Sequence, residues 1–206
     1  MIISDNPQGS DEWLLERSCI PTGSCFNKII SSTGKSSTSS KAYMNELLAN
    51  YEAGKPVDAW EGNSFTQIGT EREPESRDLY SFLTDNEVTE VGLCFKDDKK
   101  LVAVSPDGLV GDDGLVEFKN PKASTLIGYR LANKLPSTYV PQVQGQLWVT
   151  DRQWCDFMVN HPDIEHFMIR VERDEKFIKS LESALSDFID EMLEKREQLN
   201  QIKKAA

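Results

Sequence analysis

The hydrophobic period changes partway along this chain of 206 residues, and then changes back. Up to about residue 84, apolar side chains recur every three or four positions, as in "SDEWLLER", "SKAYMNELLANYEAG" and "GTEREPESRDLYSFLT". In "EVTEVGLCFKD", "KLVAVSPDG" and "GLVEFKNP" they alternate instead. A period near 3.6 buries one face of a helix, whereas a period of 2 buries one face of a strand. The helical pattern returns in "STLIGYRLANKL" and "YVPQVQGQLWVTD", and two more strand patterns follow, "QWCDFMVN" and "EHFMIRVER". The last segment places Phe177, Ile178, Leu181, Leu185, Phe188, Met192 and Leu199 on one helical stripe. Helices on either side of strands predict an α/β or α+β fold, a central mixed β-sheet flanked by helices.

Local signals sharpen the boundaries. Ser10 caps the first helix, with Asp11 and Glu12 in its first turn. A second helix is expected over "TGSCFNKII", capped at Thr22 or Ser24; Gly54 closes the third, and Pro74 lies near the start of the fourth or at a kink in it. The three alternating segments are expected to be consecutive antiparallel strands, with turns at 97–100 and 111–114. "SSTGKSSTSSK" reads as a surface loop: a phosphate loop needs a glycine five residues before Gly34, where Ile29 stands.

Composition narrows the function classes. Four cysteines without a C-x-x-C pair, and only two histidines, argue against a zinc site or an iron–sulfur cluster. No apolar run reaches membrane-spanning length, and the N-terminus lacks a basic region followed by an apolar stretch, so the expectation is a cytoplasmic protein with no membrane partner. A net charge of -11 weighs against nucleic acid, unless basic groups gather in a groove while acidic ones face outward. Acidic metal ligands would also add to that count.

The segment "SPDGLVGDDGLVEFKNP" is where charge sits without a structural need for it. Asp107 lies in a Pro-Asp-Gly turn, and Glu117 and Lys119 share one face of a strand because strand side chains alternate. Val116 and Phe118 then face the core. One reading is a solvated hairpin edge. The other is a hard-ligand cluster: two converging carboxylates repel unless a cation sits between them, and oxygen donors favour Mg²⁺, with Mn²⁺ as the alternative. A lysine beside a metal-bound water can hold it or oppose the charge that grows on a phosphate during hydrolysis.

The spacing of "SPDG" and "EFK" resembles the D…(D/E)-x-K pattern of the restriction-endonuclease-like nucleases, a weak signal alone. "YVPQVQGQLWVT", "RVERDEKFI", "GTEREPESRDLY" and "EWLLERSCIPTGS", in that family's order from about residue 8 to 192, are similar to the lambda-type, viral-recombinase (YqaJ-like) alkaline exonucleases. The resemblance implies a restriction-endonuclease-like core in a single nuclease domain over 1–206. It would comprise an N-terminal helical region at 8–54, a catalytic core at about 64–173 and a C-terminal helix at about 174–200. It also implies roles. Asp107 and Glu117 would be metal ligands with the Phe118 carbonyl, Lys119 the catalytic lysine, and Glu73 a carboxylate toward a second metal. Gln142 would contact the attacking water or the lysine, and Arg17, Ser24 and Ser105 would hold the 5′-phosphate of a DNA end. Thr66 and Gln67 depart from the apolar residues of that family.

The implied activity is a Mg²⁺-dependent 5′-to-3′ exonuclease on linear double-stranded DNA, leaving a 3′ single-stranded tail for recombination. A ring-shaped homotrimer and a single-strand annealing protein are the implied partners. Candidate channel cations are Lys35, Lys41, Lys122, Arg130 and Lys134. The alternatives are a structure-specific endonuclease on the same fold, a non-catalytic DNA-end binder, and a metal-stabilised interaction domain.

Overall fold

The computed structural model describes residues 1–58 and 72–205. The start of the expected core at 64, with Thr66, Gln67 and the first residues of "GTEREPESRDLY", lies outside them. The strands are β1 (Ile2–Ile3), β2 (Val88–Thr89), β3 (Cys94–Phe95), β4 (Ala103–Val104), β5 (Gly108–Val110), β6 (Gly114–Lys119), β7 (Trp154–His161) and β8 (Ile164–Glu172). The helices are α1 (Asp11–Arg17), α2 (Ser40–Ala53), α3 (Glu73–Thr84), α4 (Ala123–Ala132), α5 (Val140–Thr150) and α6 (Glu175–Ala205). Short 3-10 helices occupy Gly23–Lys28 and Ser137–Tyr139.

Two sheets form. One has the order β1-β3-β4, and the other β2-β5-β6-β7-β8. In the larger sheet only β6 and β7 run parallel, so the sheet is mixed as expected. A parallel pair needs a long crossover, and α4 and α5 supply it. The expected three-strand meander is corrected here. The turn at 97–100 does join β3 to β4, and the turn at 111–114 joins β5 to β6, but β4 and β5 belong to different sheets. The chain crosses from one sheet to the other at Ser105–Asp107. The second expected helix is a 3-10 helix, N-capped at Thr22 but without a side-chain capping bond. By contrast, Ser10 caps α1 as expected, its hydroxyl accepting from the Trp13 amide.

The helices cover both faces of the larger sheet. Tyr80 of α3 packs with Val110, Val116, Phe118 and Met158 on one face. On the other, Leu126 of α4 and Val143 and Leu147 of α5 pack with Leu115, Cys155, Phe157 and Val159. Burying Val143 and Leu147 stabilises by roughly 2 kcal/mol each, and it fixes which side of α5 turns toward β6. Behind α5, Phe26, Tyr43, Leu181, Leu185, Phe188 and Met192 bind α2, α6 and the first 3-10 helix into a second core. Gly145 makes that close packing feasible, since a Cβ there would lie 2.4 Å from the Phe26 ring. The apolar stripe of α6 is the one read from the sequence, although the helix runs to Ala205.

Candidate active site

The site forms where the chain leaves the small sheet for the large one. Asp107 sits in that crossing, and its Oδ2 accepts from the Phe118 amide at 2.6 Å. Because β5 pairs with β6 in register, this bond holds Asp107 beside the end of β6. Glu117 is only 1% exposed. Its Oε1 accepts from Lys119 Nζ and from Gln142 Nε2 at 2.5 Å, and its Oε2 accepts from Gln146 Nε2 at 2.6 Å. Val116 and Phe118 point to the opposite, apolar face, as the alternation required. The hairpin-edge reading is therefore wrong for Glu117: an edge carboxylate would meet water, and this one meets three donors.

Electrostatics follow from that crowding. Burial, followed by repulsion from Glu117, raises the Asp107 pKa well above the usual carboxylate range, against the pull of Lys119. Burial by itself would lower the Lys119 pKa, but Glu117 and Asp107 outweigh it and the net shift is upward. Lys119 thus stays an ammonium at any ordinary pH. Its Nζ also lies 5.4 Å from the centre of the Tyr139 ring.

The phosphate candidates converge on the same place. Arg17 Nη2 donates to Ser24 Oγ at 3.0 Å and to Thr22 Oγ1 at 3.2 Å. Its guanidinium stacks over the Trp13 ring at 4.3 Å, and Trp13 Nε1 donates to Ser105 Oγ at 3.1 Å. Arg17, Ser24, Ser105, Asp107, Glu117, Lys119 and Gln142 all line one cavity of about 320 Å³. Glu73 is set apart from them. It lines an adjoining cavity of about 440 Å³ that meets the first at Asp107 and Gln8, and it pairs with Arg77 at 3.4 Å. Burial raises the Glu73 pKa, Arg77 opposes this, and Glu117 adds to it, so Glu73 feels the other carboxylates.

Among the lining residues that sequence reasoning missed, three hold others in place. Gln8 bridges the carbonyls of Val91 and Pro106, at 3.0 and 2.9 Å, and so fixes the turn that carries Asp107. Trp13 orients both Arg17 and Ser105. Gln146 was detectable only as the residue four positions after Gln142, on the same helix face. Of the candidate channel cations, Arg130 is paired with Glu165 at 2.5 Å, and Lys41 lines a separate cavity with Glu191 and Lys195.

The donor set fits a hard divalent cation. Among the described residues, no three of His, Cys, Asp and Glu converge closely enough to hold a metal by themselves. The two carboxylates, Asp107 and Glu117, line one cavity and are nevertheless oxygen donors of the kind that Mg²⁺ takes. That ion binds through one or two carboxylates and keeps several waters. Burial, and after it repulsion from Glu117, raises the Asp107 pKa, and a bound cation would oppose both.

Comparisons with known proteins find similar exonucleases. An alkaline exonuclease from Laribacter hongkongensis is 34% identical, with a TM-score of 0.86 over 96% of this chain and 100% of that one. The same enzyme in complex with dAMP gives a TM-score of 0.85. A phage-related exonuclease of Haemophilus somnus shares the fold at 17% identity, with a TM-score of 0.67 over 85% of this chain and 96% of the other. An uncharacterized protein of Acanthamoeba polyphaga mimivirus is 34% identical over an alignment of 110 positions that covers 47% of this chain and 19% of that protein. The chain thus spans about a fifth of that curated relative. Residues 12–153 match the YqaJ-like viral recombinase domain, and the chain belongs to that family.

Proposed function

We propose that this deoxyribonuclease is a Mg²⁺-dependent 5′-to-3′ exonuclease on linear double-stranded DNA, releasing 5′-mononucleotides and leaving a 3′ single-stranded tail for recombination by strand annealing. The observation that carries the reading is that Asp107, Glu117 and Lys119 share one cavity with Arg17, Ser24 and Ser105. A cavity of about 320 Å³ is near the lower end of small-ligand sites, the scale of one nucleotide rather than of a duplex. That a similar exonuclease has been solved in complex with dAMP supports a mononucleotide product.

The roles follow from charge and geometry. Arg17 offers a planar fork to a terminal phosphate, with hydroxyls from Ser24 and Ser105 beside it. This fixes the first nucleotide so that the next phosphodiester faces Lys119. When bound between Asp107, Glu117 and the Phe118 carbonyl, Mg²⁺ would polarise that phosphoryl group and acidify a bound water. Lys119, an ammonium beside the two carboxylates, opposes the negative charge on the phosphoryl oxygens. Gln142 steadies Glu117 and stands next to Lys119 through their shared Oε1. Attack by water breaks the P–O3′ bond. The released nucleotide keeps its 5′-phosphate and gains a 3′-hydroxyl. The new strand end carries a 5′-phosphate, which is the group the Arg17 pocket reads next. Glu73, in the adjoining cavity, is a carboxylate toward a second cation.

A ring-shaped homotrimer, a single-strand annealing partner and a cytoplasmic setting complete this reading. Net charge of -11 suits a ring with its cations turned inward, because a monomer would repel DNA at long range. Among the described residues no helix is long and apolar enough to cross a membrane. The test is digestion with Mg²⁺ of linear duplex labelled at either end, beside a covalently closed circle. Release of the 5′ label first, with the circle intact and a solution mass near three times 23.3 kDa, is the expected result. Cutting of the circle would instead indicate a structure-specific endonuclease.

A further inference from the structure

Glu117 is gripped more tightly than a metal ligand needs to be, and the grip is uneven. A carboxylate has roughly four lone-pair positions, two per oxygen. Lys119 and Gln142 both point at Oε1 and use both of its positions. Gln146 alone points at Oε2, at 2.6 Å, and leaves one position there free. Gln146 is 1% exposed, and its own Oε1 is buried without any hydrogen-bond partner. A buried amide kept for packing alone would satisfy both ends or be replaced by a leucine. Its cost is tolerated because the amide's orientation is set by a charged acceptor: turned over, its carbonyl would face the carboxylate. Gln142 and Gln146 are four residues apart on α5, so one helix face clamps both oxygens of one carboxylate.

We propose that Gln146 is a positioning residue: with Oε1 closed by Lys119 and Gln142, it fixes the direction of Oε2, the one coordinating oxygen of Glu117, and thereby favours a small octahedral cation over Ca²⁺. This rests on the metal-dependent reading above. Mg²⁺ and Mn²⁺ suit single-oxygen carboxylate contacts in near-octahedral geometry, whereas Ca²⁺ readily takes both oxygens of a carboxylate in a larger, irregular shell. With one free position on Oε2 and none on Oε1, Glu117 offers the first arrangement and withholds the second. Without the Gln146 donor, Oε2 is no longer held in one direction, and the carboxylate can pivot on its Oε1 bonds to suit a larger, irregular shell.

The test is calorimetric titration of the DNA-free protein with Mn²⁺ and with Ca²⁺. Wild type is compared with Gln146→Leu and Gln146→Met, two donorless side chains of similar volume. Thermal melting establishes that each variant is folded, and the second decides if the first is not. Gln144→Leu is the control, since Gln144 lies on the same helix but donates to the Glu172 carbonyl and accepts from the Asp174 amide. Mn²⁺ affinity should fall by about tenfold in the Gln146 variants, as for other residues that orient a metal ligand. Ca²⁺ affinity should hold or rise, and the control should keep the wild-type ratio. If wild type binds both ions and the Gln146 variants keep its Mn²⁺-to-Ca²⁺ ratio, this inference fails while the metal site stands. If wild type binds neither, the metal reading fails and takes the inference with it.

Discussion

Adjacent strands of the larger sheet each bury a carboxylate, on opposite faces, and the two could hardly be treated more differently. Asp156 on β7 is 3% exposed and Glu117 on β6 is 1% exposed. Asp156 lies on the α3 side, where Arg170 Nε and Nη2 each donate to it at 2.8 Å and the Tyr80 hydroxyl donates at 2.7 Å. The Arg170 guanidinium stacks on Trp154 at 3.6 Å. One cation faces one anion, and three of the roughly four lone-pair positions are used. Glu117 lies on the α5 side, facing a cavity, beside Asp107, whose pKa is raised by burial and then by repulsion from Glu117, and one lysine serves both carboxylates. The lesson is that burial alone does not mark a catalytic carboxylate. An ion pair that balances its charges and closes on itself supports the fold, whereas one with surplus negative charge beside open space is prepared for a cation.

Substitutions can break that contrast from either side, and the largest effect should come from the cavity side. Lys119→Ala removes the ammonium that opposes phosphoryl charge and should lower the rate of duplex digestion by about 10²–10³-fold, measured in single turnover with Mg²⁺. A variant that keeps near-wild-type turnover would return Lys119 to the status of a structural counterion.

Arg17 sharpens the account of the same cavity. Charge-assisted bonds to a terminal phosphate are worth about 1.5–3 kcal/mol, so wild type should digest 5′-phosphorylated duplex roughly 10- to 100-fold faster than 5′-hydroxyl duplex. Arg17→Ala should erase most of that difference. Equal rates for wild type on both substrates would separate the Arg17 pocket from the chemistry.

The smallest effect concerns pH. The folded Asp107 pKa is raised, so between its ordinary value near about 3.9 and the folded value the native state binds more protons than the unfolded one. Stability therefore falls as pH rises through that window. In EDTA, the melting temperature of wild type should drop by a few degrees relative to Asp107→Asn as pH is taken from acid to neutral, and Mg²⁺ should abolish the drop. Parallel pH profiles for the two proteins would show that the cluster carries no such strain.

Much of this was legible beforehand, for a physical reason. Glu117 and Lys119 stood out because they share one strand face close to Pro106–Asp107–Gly108, a turn by its own chemistry, although a solvated hairpin edge shows the same pattern until burial is known. The helices followed from caps and period. What the sequence concealed was where alternation stops belonging to one sheet. "KLVAVSPDG" alternates without a break, yet β4 and β5 are two and three residues long in different sheets, and only their pairing partners tell them apart. β1, two residues at the N-terminus, pairs with β3 over too short a span to leave a pattern. Gln146 and Asp156 were hidden for another reason. A polar residue on a buried face looks like any solvated one until its partners are known, and those partners lie 29 and 14 residues away.

The central claim, that one buried carboxylate serves chemistry and the other the fold, is tested most directly by measuring Glu117→Gln and Arg170→Met side by side. For each, single-turnover cleavage of 5′-labelled duplex is paired with thermal melting. Glu117→Gln should lose cleavage by orders of magnitude and melt within a few degrees of wild type. Arg170→Met leaves the Asp156 charge with Tyr80 as its remaining partner. That should cost about 3 kcal/mol, or roughly 10 °C in Tm, while the folded fraction cleaves at the wild-type rate. The reverse pattern, a catalytically dead but stable Arg170→Met beside an active but unstable Glu117→Gln, would contradict the assignment of the two faces.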